Sequence, residues 1–509
     1  MVWKKWKQIS SHYPIATWWP TSAKLRLRML VTVLFFEAHL PTASISNSVH
    51  AAETTTAYTL SDCLRIGLEN NLQLKQLKQN VWIAKENIDQ ASAVYDPGLA
   101  FSVNYEDSEL PSRRTPIEGS SKSWITEGRL TRIFSKGTIL ELSSGLNHFK
   151  FPNSQTGINE IDISLLSLSL SQPLFKNAKG QLDQARIREA RLGYEQSELE
   201  FLYQRDLLTL RIYEAYWDLY AAQKGYETNQ EALERSKRLL EINRKKYEDG
   251  LLDETDILAI EASLATREID VLDRQNAVAT QRDHLMRIIH VPFAEWGRVE
   301  VVYDLTLPNP TNRIDALNGY ETALLNRQDY AALQKAVEQA ETFVTLKKEE
   351  MKSTLLLTGR LGQGDTDTTI SDSFGFDDTQ WAIGLEWEMA WGRKRKKSAL
   401  RQAEILLEQA NERVQEHKLL IAWESQKAAR ELRVAQKRIS ATQKSQKLET
   451  HKLTLENEKL HQGRSSIHRI LEYQDDLEFA ELASFQSIAD YEKKQAQHKL
   501  VQGTLPPRY

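Results

Sequence analysis

The sequence predicts a mainly α-helical protein with β segments, built from one structural unit that occurs twice. Three observations support this fold class: two very long blocks without proline, motifs that recur at a constant offset, and stretches in which apolar and polar residues alternate. The chain has 509 residues, 41% hydrophobic and 27% charged, as is ordinary for a folded protein. Its 66 basic and 70 acidic residues nearly balance, so the composition gives no reason to expect a nucleic acid partner.

The spacing of the prolines predicts long helices. No proline lies between Pro173 and Pro292 or between Pro310 and Pro506, and a helix interior tolerates proline less than any other residue. Residues 393–462 also lack glycine, so at ~1.5 Å per residue they allow a helix of roughly 105 Å. In the first block, apolar residues recur at helical spacing at Leu199, Tyr203, Leu207, Leu210, Tyr213, Trp217 and Tyr220. Further on they recur every seven residues, as in coiled coils, at Ile257, Leu264, Val271, Val278 and Leu285.

Internal repeats indicate a duplication. Ala221-Ala222-Gln223-Lys224 corresponds to Val434-Ala435-Gln436-Lys437, and Gly250, Ile257, Leu258 and Leu264 correspond to Gly463, Ile470, Leu471 and Leu477, all at an offset of 213. Upstream, Leu68-Glu69-Asn70 corresponds to Leu324-Leu325-Asn326 at an offset of 256. The first copy therefore carries about forty extra residues between its short and long helices.

The N-terminus is predicted to be a signal peptide. Its first 28 residues carry six basic residues and no acid, and the apolar run Met29–Phe36 that follows is too short to span a bilayer. Val49-His50-Ala51 supplies small residues for cleavage. We therefore predict a signal peptide at 1–51, a first repeat at 52–310 with a β segment at 99–172, a second repeat at 311–504 with a β hairpin at 354–391, and a tail at 505–509. Each repeat ends in a long helical hairpin, with its tip near 250 or 463.

Alternating residues predict strands in both copies. In the first copy the pattern covers Phe101 to Tyr105 and Leu166 to Ser171, with two further strands at about 123–134 and 138–149. In the second copy one face of a strand carries Trp381, Ile383, Leu385, Trp387, Met389 and Trp391. Such a strand fits between lipid and a water-filled lumen, although a soluble strand with one buried face is the alternative. So few strands cannot close a pore alone, and a membrane-embedded sheet would require several copies of the chain.

Enzyme signatures are missing from the sequence. It contains no glycine-rich phosphate loop, no H-E-x-x-H motif and no nucleophile elbow. Cys63 is the single cysteine, and His461 and His468 are seven residues apart across a predicted helix reversal, which is not metal-ligand spacing. We therefore predict no enzymatic activity, cofactor or metal. The basic run 393–397 suits a solvated surface or lipid headgroups, and the sequence assigns it no specific role.

Several short motifs, in this order, resemble the TolC family of outer-membrane efflux proteins over nearly the whole chain after the signal peptide. They are Tyr58-Thr59-Leu60, Glu69-Asn70-Asn71, Tyr95-Asp96-Pro97, Ser171-Gln172-Pro173-Leu174-Phe175, and Tyr247-x-x-Gly250-Leu251 followed by Asp256-Ile257-Leu258. The resemblance implies a homotrimer in the outer membrane of a Gram-negative bacterium, with most of the chain in the periplasm. Each chain would give strands to one β-barrel, in contact with outer-membrane lipid, and helices to a coiled-coil-like periplasmic tunnel.

The resemblance also implies a function. Such a channel is the exit duct of a tripartite efflux or type I secretion system, exporting small molecules or polypeptides through a periplasmic membrane-fusion adaptor and an inner-membrane transporter. A soluble periplasmic coiled-coil scaffold or adaptor-like protein is the competing interpretation, because it would share the signal peptide and the helical hairpins.

Candidate site residues follow from the resemblance and from the two tip glycines, which suit the reversal of a helix. The resemblance assigns adaptor docking to Gly250, Leu251, Leu252, Gly463, Arg464 and Ser465, with both leucines expected to be exposed. It assigns a periplasmic gate to Tyr247, Asp256, Arg469 and Glu472. The family often has acids six and nine positions after the second tip glycine; here Arg469 takes the first position, so we expect it to pair with Asp256 across a closed entrance. The alternatives are ordinary helix turns with both leucines tucked inward and gate residues that are merely solvated.

Overall fold

The computed structural model describes residues 56–110, 119–151, 158–303, 314–389 and 391–505. The predicted signal peptide and the last four residues of the tail lie outside these ranges. The helices are α1 (Leu60–Asn70), α2 (Leu72–Ser92), α3 (Gln181–Glu248), α4 (Glu254–Ile289), α5 (Ala316–Asn326), α6 (Gln328–Met351), α7 (Lys394–His461) and α8 (Ile467–Val501). The strands are β1 (Thr56–Tyr58), β2 (Gly98–Leu110), β3 (Gly119–Ile133), β4 (Ile139–Lys150), β5 (Glu160–Pro173), β6 (Val299–Val301), β7 (Thr354–Asp367) and β8 (Asp378–Glu388).

The helices repeat as the sequence offsets predict. Helices α3 and α7 each have 68 residues and begin and end at positions 213 apart, while α1 and α5 are related by the upstream offset of 256. At ~1.5 Å per residue, each 68-residue helix is about 100 Å long. Every member of the α3 seam from Leu199 to Tyr220 is buried or half-buried, so this helix is held by packing along its length.

Six of the strands form one antiparallel sheet in the order β2-β3-β4-β5-β7-β8. The first copy contributes four strands and the second contributes two. Hairpin β3–β4 accounts for the extra residues of the first copy, because β2 and β5 of that copy correspond to β7 and β8 of the second. The sheet therefore contains one inserted hairpin.

The end of β8 differs from the prediction. The strand spans Asp378–Glu388 and leaves Met389 and Trp391 beyond its end. Gly392 and Arg393 have positive φ angles of 81° and 47°, which turn the chain into α7 and prevent the strand from continuing. Strand β7, its partner in the hairpin, spans Thr354–Asp367.

The turn of the inserted hairpin packs against the start of α3. Gly180, with φ of 72°, precedes that helix, and a Cβ atom there would lie 2.1 Å from the backbone oxygen of Ser135. Only glycine allows the two backbones to approach this closely. The hairpin is thus anchored at the junction between the sheet and the long helix.

The largest apolar core surrounds the middle of α3. Tyr216, Trp217 and Tyr220 pack there with Leu285 and Ile289 of α4 and with other apolar residues of α1 and α8. The short parallel pair β1–β6 lies against this core.

Among the described helices, none is both long enough and apolar enough to cross a membrane.

Candidate gate and docking site at the hairpin tips

The α3–α4 hairpin and the α7–α8 hairpin reverse through the same backbone turn. Gly250 and Gly463 have φ angles of 69° and 67°. The backbone N–H of Leu251 donates to the carbonyl of Lys246 at 2.8 Å, and that of Arg464 donates to the carbonyl of Lys459 at 2.9 Å. This is a left-handed helix end, which glycine adopts without a steric penalty. Both predicted tip glycines lie where the helices reverse.

The two leucines of the first tip have different environments. Leu251 is 75% exposed, whereas Leu252 is half-buried and packs against a group of buried residues that we call the tip cluster. The tip cluster consists of Leu239, Ile260, Leu453, Ile467, Ile470 and Leu477. The expectation of two exposed leucines is wrong for Leu252, because the turn directs it toward apolar residues of both hairpins. Since the tip cluster draws on α3, α4, α7 and α8, it joins the two hairpins.

A buried carboxylate organises the second tip. Glu456 of α7 is only 2% exposed. It accepts hydrogen bonds from Ser465 Oγ at 2.6 Å and from Lys459 Nζ at 2.9 Å, and it lies 3.7 Å from an Nη atom of Arg469. The hydrogen bonds from Ser465 and Lys459 hold the pKa of Glu456 below its ordinary value. The side chain of Ser465 is therefore directed inward, while Arg464 is exposed.

The four predicted gate residues lie close to the tips but are not joined to one another in this chain. Arg469 is exposed and makes its ion pair with Glu456. Asp256 is half-buried in the first turn of α4, and no ion pair joins it to Arg469 within the described part of this chain. Tyr247 is 42% exposed, and Glu472 is also exposed. The expected pairing of Asp256 with Arg469 is not formed within one chain, because Glu456 of the same hairpin already pairs with the arginine.

Arg267, which the sequence analysis did not single out, connects the two hairpins. Its side chain on α4 is 5% exposed. One Nη atom lies 2.6 Å from Asp475 Oδ1, and the other pairs with the carboxylate of Glu478, both on α8. A buried arginine with two carboxylates on the facing helix is a strong, directional link. The heptad pattern contained a signal for it, because Arg267 lies one heptad after the buried Ile260, at a position that an apolar residue normally fills.

Further polar contacts join α3 to α8 on the same side. Ser236 Oγ donates to Gln474 Oε1 at 3.4 Å, and an Nη atom of Arg235 lies 3.6 Å from Glu481 Oε2. Burial raises the pKa of Glu481. Together with Arg267, these contacts form a polar seam between the hairpins above the tip cluster.

The sheet has an apolar face and a polar face. One row of paired residues crosses all six strands on the apolar face: Leu99, Leu130, Leu142, Leu168, Leu361 and Trp381. Along β8 this face carries the exposed Trp381, Ile383, Leu385 and Trp387. The other face carries Arg129, which pairs with Glu127 and Glu141 at 2.5 and 3.7 Å. Met389 and Trp391 are exposed beyond the strand end.

The apolar stretch lies at different levels on the two edge strands of the sheet. On β8 the apolar residues are centred on Gly384. The residues paired with Gly384, strand by strand across the sheet, are Thr358, Ser171, Ile139 and Ile133, and the same level on the β2 side falls two residues before Gly98. The centre of the apolar stretch on β2 is instead Ser102, about six residues further on. At about 3.3 Å per residue and 4.8 Å per strand, an apolar band shifting this far over five strand spacings runs about 40° from the perpendicular to the strands.

Metal ligands are not gathered in this structure. Within the residues it describes, no three His, Cys, Asp or Glu side chains lie close enough to hold a metal ion.

One family model matches the part of the chain from α1 to α4. Residues 64–289, from α1 to the end of α4, match the model of the family described as outer membrane efflux protein. This segment belongs to the outer membrane efflux protein family. The family resemblance predicted from the sequence is thereby confirmed.

Solved structures with the same fold are channels or membrane proteins. The outer membrane protein VceC from Vibrio cholerae is 17% identical, with a TM-score of 0.66 over 87% of this chain and 96% of VceC. The Campylobacter jejuni CmeC outer membrane channel is 15% identical, with a TM-score of 0.66 over 88% of this chain and 86% of CmeC. The open state of the Neisseria gonorrhoeae MtrE outer membrane channel is 16% identical, with a TM-score of 0.61 over 88% of this chain and 89% of MtrE.

At these identities the structural likeness establishes the fold: long helices and a sheet in a duplicated unit. No curated protein matches the sequence significantly. The family match and the fold together support an outer-membrane efflux channel, and they do not favour the soluble scaffold or adaptor-like alternative.

Proposed function

We propose that this efflux protein is the exit duct of a tripartite efflux or type I secretion system. In this proposal three copies form one channel in the outer membrane of a Gram-negative bacterium, and most of each chain lies in the periplasm. A membrane-fusion adaptor docks at the periplasmic tips, and an inner-membrane transporter drives export. The observation that carries the proposal is the six-stranded sheet, with an exposed apolar face and two open edges, at the start of helices about 100 Å long.

The edges of the sheet favour assembly with other copies. Strands β2 and β8 have 13 and 11 residues and no partner on their outer sides in this sheet. Long open edges with exposed apolar side chains pair with another chain. A band of lipid-facing residues that runs about 40° from the perpendicular to the strands implies strands tilted about 40° from the barrel axis, within the 35–45° range of membrane barrels.

Three copies would close a barrel of eighteen strands, since each sheet has six. With strands about 4.8 Å apart and tilted about 40°, the barrel would measure about 36 Å between opposite backbones. The apolar face, with Trp381, Ile383, Leu385 and Trp387 on β8, would contact lipid. Met389 and Trp391 would lie at the membrane boundary. The face with Glu127, Arg129 and Glu141 would line the lumen.

The helix tips would supply the docking and gating surfaces. We assign adaptor contact to Gly250, Leu251, Gly463 and Arg464, which face outward, with Leu252 and Ser465 supporting them from inside. Tyr247, Asp256, Arg469 and Glu472 would surround the entrance. The division into signal peptide 1–51, repeats 52–310 and 311–504 and tail 505–509 belongs to the same proposal.

Single-channel conductance of the purified full-length protein in a planar bilayer tests the duct. We expect discrete steps of uniform size, and larger steps for Arg267→Met, which removes the link between the hairpins near the entrance. Arg274→Met is the matched control, because Arg274 lies one heptad further along α4 and is exposed; its conductance should equal that of the wild type.

Fractionation provides an independent test. An outer-membrane duct should sediment with outer membranes and resist carbonate extraction. A silent bilayer from well-folded protein, together with release by carbonate, would instead support the soluble periplasmic scaffold.

A further inference from the structure

Five consecutive basic residues, Arg393 to Lys397, mark the start of α7, and we call them the basic patch. Within the described residues of this chain, no acidic side chain forms an ion pair with any of them. Elsewhere on the same helix, basic residues do find partners: the half-buried Lys452 pairs with Asp476 at 2.6 Å, and the exposed Arg438 lies 3.9 Å from Asp490. The basic patch is therefore a concentration of positive charge that the chain itself does not neutralise.

The position of the basic patch is unfavourable for the helix. The N-terminal end of a helix carries partial positive charge, so acidic residues stabilise its first turn and basic residues destabilise it. Helices α3 and α4 follow this rule, with Asp183 in the first turn of α3 and Glu254 and Asp256 in that of α4. The first turn of α7 has no acid, which is also true of α2, α5 and α8, but α7 alone among these four helices begins with four consecutive basic residues. Five positive charges at the positive end of a helix repel one another and the helix dipole. Because nothing in the described part of the chain compensates for this repulsion, the basic patch indicates an anionic partner outside the chain.

The two ends of the six-stranded sheet also differ in charge. The ends of its strands that adjoin the long helices, its helix-side end, carry Lys136, Lys176, Lys179 and Lys352 in addition to the basic patch, against the acids Asp96, Glu386 and Glu388 and with Lys352 paired to Glu349. The opposite, loop-side end is mainly acidic: Asp107, Glu160, Asp162, Asp365, Asp367, Asp372, Asp377 and Asp378. The two ends of the sheet therefore differ in charge, which indicates that they lie in different surroundings.

Two tryptophans next to the basic patch indicate its position relative to a membrane. Trp387 near the end of β8 is exposed, and Trp391, two residues before the patch, is 94% exposed. Tryptophan is enriched where a membrane meets water, at the level of the lipid headgroups. Basic residues directly beyond such tryptophans lie within reach of lipid phosphates.

We propose that the basic patch binds the phosphate-bearing headgroups of anionic phospholipids in the membrane leaflet that faces the periplasm. The proposal rests on the proposed function for its orientation, because the helices must extend into the periplasm. Phosphate supplies the negative charge that the first turn of α7 lacks, and Trp391 packs at the headgroup level beside it. The patch thereby fixes the level, relative to the membrane, at which the sheet ends and the helices begin.

Native mass spectrometry of the detergent-purified full-length protein can measure this preference with phosphatidylglycerol and phosphatidylcholine as probes. The test variant carries Lys394→Gln, Lys396→Gln and Lys397→Gln. The control variant carries Lys437→Gln, Lys444→Gln and Lys447→Gln, which removes the same charge from exposed lysines of the same helix about 60 Å or more from the patch.

We expect the wild type and the control variant to bind phosphatidylglycerol more tightly than phosphatidylcholine, and the test variant to lose at least about tenfold in phosphatidylglycerol affinity. Equal binding of the two lipids by the wild type, or an equal loss in both variants, would overturn the proposal. Lipid A, the anionic lipid of the other leaflet, serves as a third probe, and a loss of affinity confined to lipid A would also overturn the proposal. Conductance separates the two proposals: a test variant with normal channels and unchanged lipid preference rejects only the lipid site, whereas a wild type without channels rejects the duct.

Discussion

The two hairpin tips have the same backbone but different side-chain chemistry. Each reverses through a glycine with φ near +70° and the same pair of backbone hydrogen bonds. The first tip is held by the apolar contact of Leu252 with the tip cluster, whereas the second is held by the hydrogen bonds of Glu456. Outward, the first tip presents Leu251 and the second presents Arg464.

The comparison separates what a duplicated sequence must keep from what it can change. The reversal of a long helix depends on a backbone conformation that only glycine adopts cheaply, so this position recurs in both copies. The residues around it need only bury or pair their side chains, which apolar packing and charged hydrogen bonds can both achieve. Two tips with different outward surfaces, Leu251 on the first and Arg464 on the second, follow from this freedom.

The largest expected effect comes from Arg267, the link between the unlike hairpins. Arg267→Met leaves Glu478 without its partner, at a site where breaking a buried ion pair costs about 3 kcal/mol or more. We expect the facing segments of α4 and α8 near this residue to exchange their amide hydrogens up to about 100-fold faster.

Hydrogen-exchange mass spectrometry of the detergent-purified protein measures this effect. The matched control Arg274→Met should leave exchange unchanged. If Arg267→Met exchanges like the control, the ion pairs of Arg267 do not hold the two hairpins together.

The leucines of the first tip should differ in stability. Leu252→Ser removes a half-buried side chain from the tip cluster and should cost about 1–2 kcal/mol, whereas Leu251→Ser should cost less than about 0.5 kcal/mol because Leu251 is exposed. Exchange rates at residues 249–260 measure both. Leu251→Ser should instead weaken adaptor binding, and equal destabilisation by the two substitutions would remove the distinction between packing and docking.

Much of the fold could be predicted from the sequence because a long helix requires a long stretch without proline or glycine. The interval without proline or glycine contains α7, and the alternating residues locate the strands of both copies. The end of β8 was misplaced, since alternation continues through Trp391 while the turn at Gly392 and Arg393 depends on backbone angles that the pattern does not contain.

The candidate site was harder to predict, for a different reason. Sequence position located the tip glycines, but the inward direction of Leu252 depends on contacts with the other hairpin, 200 residues away in sequence. The partner of Arg469 likewise depends on the approach of α7 to α8. Arg267 could have been found from its heptad position, although its two carboxylate partners could not.

Substitution of the tip glycines should affect both tips equally. A Cβ atom at Gly250 or Gly463 would meet no other atom within 4 Å, so alanine brings only the backbone cost of a positive φ. We expect about 1 kcal/mol for Gly250→Ala and the same for Gly463→Ala. Hydrogen exchange at the two turns measures the costs, and a clear inequality would show that side-chain contacts also shape the turns.

The smallest expected effect is a difference in pH dependence between the tips. The pKa of Glu456 is lowered in the folded protein by its hydrogen bonds, so its contribution to stability is present above the ordinary glutamate value of 4.5 and is lost as the pH falls through the lower, folded value. The first tip has no comparable buried carboxylate among its described contacts. Exchange at residues 462–468 should therefore rise relative to residues 249–255 as the pH falls from 6 to about 3.5.

The ratio between the two tips removes the intrinsic pH dependence of exchange. Glu456→Gln is the reference, since an amide of nearly the same shape does not titrate and its ratio should stay constant with pH. A wild-type ratio that is equally constant would mean that Ser465 and Lys459 hold the second tip whether Glu456 is charged or neutral. The charge difference between the tips would then matter only for their surfaces, where Leu251 and Arg464 are exposed, and not for the stability of the turns.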